Sequence, residues 1–249
     1  VSLWRLELLR LWRTRRLVVL LGAYVIVGLG IPVLTYYLPA IVAHSSAGGL
    51  KLVVPRQTPT DALVAFGRNA GELGTLVVVA VAAAGVSLDA RPALAAFYRS
   101  RTRSGFRLLL PRYVMSAALA AVCFGLGMLS TWYETSVLFG PLDPATLAAG
   151  FGIEIVWIGF CVSVVALSAA IARTVSAVVG FSLASLLALV FLSGLPAVAS
   201  WSPTVLAPSV AVLVGPHPAS TLWHALAVAL GATVVLLSAA TWRLSIRTG

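Results

Sequence analysis

Charge is what this sequence has least of. Asp, Glu, Lys and Arg together make up 10% of the chain, against roughly 25% in soluble globular domains. Acidic residues are scarcer still, seven in 249, and no run of more than about 30 residues is polar enough to fold as a separate soluble domain. A water-soluble fold is excluded, and any large catalytic or regulatory domain is expected on another chain. Cysteine is nearly absent: Cys123 and Cys161 fall inside apolar runs without metal-ligand spacing, so they read as buried thiols. There is no GxxxxGK[ST] phosphate loop, and Gly125 and Gly127 sit in an apolar run. The chain is therefore not expected to hydrolyse nucleotide, nor to hold a metal or cofactor of its own.

What is present is apolar. Hydrophobic residues make up 60% of the sequence and the mean hydropathy is +1.03. Runs of about 20 apolar residues, enough for a helix to cross a hydrocarbon core, recur over 17–38, 73–88, 113–133, 146–172, 175–195 and 222–242. Pro32 predicts a kink in the first run. That run is too long for a signal-peptide core and is not followed by a small-residue cleavage site, so it is expected to stay as an anchor. Between 39 and 68, Pro55, Pro59 and Asp61 read as breakers, and Leu63 to Phe66 as a stretch that could already begin the next helix. A short acidic loop with Glu134 and Asp143 separates the third and fourth runs, and Arg173 and Thr174 form a tight turn into the fifth.

Two segments fit no span. Residues 3–16 place Trp4, Leu8, Leu11 and Trp12 on one helical face, with Glu7, Arg10 and Thr14 opposite, which predicts an interfacial helix. Residues 196–218 hold five prolines and an apolar stretch too short to cross, which predicts a re-entrant or surface-lying hairpin. The expected fold is all-α: one polytopic transmembrane domain over 1–249, with six transmembrane helices, the interfacial helix and the hairpin before the last helix.

A net charge of +10 would suggest nucleic acid as partner of a soluble protein. Here the basic residues cluster at the ends of apolar runs, the pattern that sets membrane orientation, so no nucleic acid partner is expected. Fourteen of the seventeen fall in the segments that share a side with the N-terminus; Lys51, Arg56 and Arg68 fall on the other. Both termini are thus expected to be cytoplasmic.

Taken together, segment 3–16, the basic stretch 89–112, the turn at Arg173 and the proline-broken stretch 196–218 resemble the membrane subunit of an ABC-2 type ABC exporter, a family of six-helix permeases. After its second helix that family shows an acidic residue, a short amphipathic stretch, a proline and spaced basic residues. Here Asp89, residues 94–98 and Arg101, Arg103 and Arg107 stand in those places, with the proline early, at Pro92. The resemblance implies a multi-pass protein of a bacterial cytoplasmic (inner) membrane that works with a second permease subunit, identical or diverged. It also implies cytoplasmic ABC ATPase subunits, which would carry the ATP and Mg. Coupling to the ATPase would fall to Asp89, Leu94, Phe97, Tyr98, Arg99, Arg101 and Arg103. Leu94, Phe97 and Tyr98 can supply an apolar contact patch, and the arginines can steer docking onto an acidic rim. The plainer reading makes those arginines a collar facing membrane lipid head groups. The exported substrate would be amphipathic: a drug, lipid or glycolipid.

Ionisable and hydroxyl side chains within spans are candidates for a substrate path, namely Glu72, Glu154, Ser182 and Ser185. The carboxylates also fit snorkelling or helix pairing, and the serines fit helix packing. His217 and His224, seven residues apart, read as isolated histidines rather than a metal pair. Two rival functions stay open. A secondary transporter would ordinarily show more spans or an inverted repeat. An intramembrane serine protease could draw on Gly180-Phe181-Ser182 and His224, but a rhomboid-like pattern would want a glycine after the position that follows the serine, and here Leu183 follows Ser182 directly.

Overall fold

The computed structural model describes residues 3–45, 55, 57–87, 105–208, 213 and 219–248. Among these every regular element is helical. The order is α1 (Leu3–Arg13), α2 (Arg16–Ser45), α3 (Pro59–Asn69), a π-helical turn (Ala70–Gly74), α4 (Thr75–Val86), α5 (Gly105–Leu138), α6 (Pro144–Ile171), α7 (Val175–Ser193), α8 (Pro196–Ala199), a 3-10 turn (Pro203–Leu206) and α9 (Ala219–Thr248). Six helices are long and apolar enough to cross a membrane: Arg16–His44, Pro59–Val86, Gly105–Leu138, Pro144–Ile171, Val175–Ser193 and Leu222–Ile246.

Local chemistry explains where these helices begin. At the head of α3, Thr58 Oγ1 accepts from the Asp61 amide at 3.3 Å while Asp61 Oδ2 accepts from the Thr58 amide at 2.8 Å. That is a reciprocal capping box with Pro59 inside it. Pro59 and Asp61, read from sequence as breakers, therefore start the second span, which runs on through the π-turn to Val86. Asp143 caps α6, accepting from the amides of Ala145 and Thr146. Thr174 caps α7, accepting from the Ala177 amide at 3.3 Å, so the turn at Arg173 is as tight as the sequence suggests.

Two other boundaries move. Helix α5 starts at Gly105, not near Tyr113, and passes through Pro111, so residues 105–112 of the basic stretch are helical. Its far end reaches Leu138, which puts Glu134 inside a helix and not in a loop. Prolines also lie within α2, at Pro32 and Pro39. Membrane helices tolerate them where neighbouring groups satisfy the freed carbonyls.

Helix α6 is the centre of the bundle, with Trp157, Cys161, Val162, Val165 and Ala166 all buried. Around it, α2 packs along α5 at glycine contacts: a Cβ on Gly28 would collide with the Gly127 carbonyl, and one on Gly127 would sit 2.7 Å from the Tyr24 oxygen. With lipid outside, such close packing is what holds membrane helices together. Phe124 of α5 then gathers Tyr24, Phe66 and Phe151 at ring distances of 5.6, 5.8 and 6.2 Å. The outer faces of α2, α7 and α9 keep large apolar residues exposed, among them Ile26, Phe191 and Val235.

Candidate functional site

A groove of about 870 Å³ opens between the second span, α7 and the segment that follows α8. One wall comes from Arg68, Gly71, Glu72, Thr75 and Leu76; the facing wall from Leu183, Leu187, Val190 and Ser193; Thr204, Ala207 and Pro208 also line it. Trp157 of α6 forms part of the lining, and its Nε1 donates to Thr75 Oγ1 at 2.9 Å. A buried indole N–H needs such a partner, and Thr75 supplies it where the π-turn hands over to α4. π-turns inside helices recur at functional sites because they re-aim the residues around them.

The groove is graded along its length. Phe66 meets Phe124, Phe124 meets Phe151, and Thr75 meets Trp157, so α6 runs parallel to the second span. The tight turn then sends α7 back antiparallel. Hydrophilic Arg68, Glu72, Ser193 and Thr204 consequently gather in one half, with Val64 a turn beyond Arg68, and apolar Leu76, Trp157 and Leu183 lie in the other. At the polar end Arg68 Nε meets Glu72 Oε1 at 3.2 Å, both side chains mostly exposed at 75% and 67%. Gly71 lets Ala207 approach so closely that any Cβ there would collide with the Ala207 carbonyl.

Of the four candidate path residues, only Glu72 lines this groove. Glu154 lies within α6 and is 1% exposed. Ser182 is buried and donates to the Val178 carbonyl at 2.7 Å; Ser185 is exposed and donates to the Phe181 carbonyl at 2.8 Å. Both serines thus turn back on their own helix. His224 stacks flat on Trp201 at 4.3 Å, tying α9 to the segment between α8 and the 3-10 turn. The coupling candidates Asp89, Leu94, Phe97, Tyr98, Arg99, Arg101 and Arg103 lie outside the described residues, as does His217.

The helices that flank that basic segment are described, and they meet in a polar cluster. Arg112 of α5, 3% exposed, reaches Glu7 of α1 at 3.1 Å, and Arg10 joins Glu7 at 3.5 Å. Arg16 Nη2 donates to the Ala84 carbonyl at 2.6 Å, completing the C-terminal turn of α4. Glu7 faces the bundle, while Trp4 and Leu8 point away from it at 42% and 47% exposure. Trp4 and Leu8, expected on the face opposite Glu7, do lie on the side away from it. The partner Arg112 was not visible in sequence periodicity, because 105–112 read as loop; a lone acid among five arginines was the available signal.

Six apolar helices, five of them around a buried α6, make this chain a polytopic membrane protein, all-helical among the described residues. It is similar to the uncharacterized transmembrane protein YxlG of Bacillus subtilis (strain 168), with 24% identity over 206 residues that cover 82% of this chain and 80% of the relative. No family model matches the chain.

Proposed function

We propose that this chain is the permease subunit of an ATP-driven ABC exporter of the ABC-2 type, forming with a second permease chain the path for an amphipathic substrate. The observation that carries the reading is the graded groove, charged in one half and apolar in the other, between the second and fifth spans. Its volume falls in the roughly 300–1,000 Å³ range of small-molecule sites. A path for a molecule with a polar head and apolar body needs that gradient. The polar cluster of Glu7, Arg112, Arg16 and the end of α4 supports the same reading from the opposite end. It fixes α1, α2, α4 and α5 around the base of the basic segment, so a push on that segment would move several helices together. ATP and Mg would bind to the partner ATPase chains, and this chain would contribute the apolar patch at Leu94, Phe97 and Tyr98 with Arg99, Arg101 and Arg103 around it.

The test is co-purification of the full chain with the ATPase produced from the same gene neighbourhood. ATP hydrolysis by that ATPase should rise when the permease is present in vesicles. An ATPase that neither binds this chain nor changes its turnover would remove the assignment.

A second reading, secondary transport, is favoured by one observation: Glu154 is a carboxyl side chain buried in the most enclosed span, and intramembrane acids mark proton relays in such carriers. Under that reading, substrate efflux would follow an imposed proton gradient without ATP and would stop on Glu154→Gln.

A further inference from the structure

Among the described residues the polar end of the groove is charged but carries no net charge, and this discriminates among ligands. Arg68 and Glu72 lie one helical turn apart and satisfy each other through Arg68 Nε and Glu72 Oε1. An anionic head group that took Arg68 would leave Glu72 without its partner, and a cationic one that took Glu72 would leave Arg68 without its own, in each case losing one mostly exposed ion pair. A head bearing one cation and one anion avoids both losses. It can exchange with the existing pair, its anion on the guanidinium and its cation on the carboxylate, leaving the groove neutral throughout. Guanidinium, with five donors, suits a phosphate or carboxylate oxygen pair. Below this point the lining turns apolar along Val190, Leu187 and Leu183 toward Trp157 and Leu76.

We propose that the groove binds a zwitterionic amphiphile, its head exchanged into the Arg68–Glu72 pair and its tail laid along α7 toward Trp157. This rests on the groove being a substrate site, yet it makes a separate demand on the head group.

Trp157 offers an internal reporter. The full chain, purified in detergent, is titrated with single-chain lipids brominated on the tail, and the quenching lost in Trp157→Phe is taken as the Trp157 signal. Three probes share one tail: lysophosphatidylcholine as zwitterion, lysophosphatidylglycerol as anion and an alkyltrimethylammonium as cation. The zwitterion should reach half-saturation at about threefold to fivefold lower concentration than either charged probe, the scale of one exposed ion pair. Arg68→Gln and Glu72→Gln should each erase that preference. The double exchange Arg68→Glu with Glu72→Arg keeps a neutral pair and should restore it. Equal quenching by all three probes would leave the groove as a binding site and overturn the zwitterion assignment. Absence of any Trp157 quenching would overturn both the assignment and the groove as a site, whatever the result of ATPase co-purification.

Discussion

Arg112 and Glu7 are the pair on which single side chains matter most. Both charges are buried, at 3% and 9% side-chain exposure and 3.1 Å apart, so each helps to offset the burial of the other, with Arg10 as a further partner of Glu7. Deleting one partner of a buried pair typically costs about 3–5 kcal/mol, whereas replacing both by apolar residues costs much less. Arg112→Met and Glu7→Met should each lower the thermal midpoint of the detergent-solubilised protein, and the double substitution should recover part of that loss. Additive effects of the two singles would show that the charges do not depend on each other.

Asp143 gives a pH dependence of known sign. The Thr146 hydroxyl, then the Ala145 and Thr146 amides, hold its carboxyl below the ordinary value of 3.8. A depressed folded-state pKa stabilises above the unfolded value and is lost as pH falls through the folded one. Acidification below about pH 4 should therefore weaken the start of α6. Amide exchange at Ala145 and Thr146 should rise on acidification relative to Asp143→Asn, which has no carboxyl to protonate. An identical acid response in the variant would mean that Asp143 does not carry the effect.

Among the elements, the six spans were legible because each is a long apolar run, a signal that survives whatever the helices pack against. Their ends were legible only where a polar residue had one meaning. Thr174 and Asp143 cap helices whose apolar runs follow at once. Pro59 and Asp61 misled because the same residues break a helix from within and start one from its first turn, and only the Thr58 reciprocal bond decides. The groove was not legible at all. Its lining comes from four stretches far apart in sequence, and the space at Gly71 where Ala207 fits joins two of them. Gly71→Ala should displace residues 203–208 or the π-turn. A cysteine at Thr204, which lines the groove, should then react faster with a maleimide. Gly22→Ala is the control, since nothing lies within 4 Å of its new carbon, and alanine is about 0.5–1 kcal/mol better than glycine inside a helix. Unchanged Thr204→Cys reactivity in Gly71→Ala would mean that the contact yields without opening the groove.

For the molecule as a whole, the packing fixes which helix ends lie together, and the charge count predicts which side of the membrane those ends face. Arg16 touches Ala84, Glu7 touches Arg112, and a Cβ on Gly105 would meet the Thr241 carbonyl 2.6 Å away. The starts of α2 and α5 and the last turns of α4 and α9 therefore share one end of the bundle. Both ends of the basic segment 88–104 join the bundle there, as does the turn at Arg173 after the antiparallel return of α6. Arg68, with Lys51 and Arg56 before it in sequence, belongs to the opposite half. The bias is fourteen basic residues to three, and the positive-inside rule acts on short flanking segments of this kind. In intact cells a cysteine at Ser104 should be protected from a membrane-impermeant maleimide, while one at Asp143 should be labelled. A cysteine at Ser46, after the first span, should be labelled too. Labelling at Ser104 would invert the bundle, turn the Arg68–Glu72 mouth of the groove to the cytoplasm and leave residues 89–103 out of reach of any cytoplasmic ATPase.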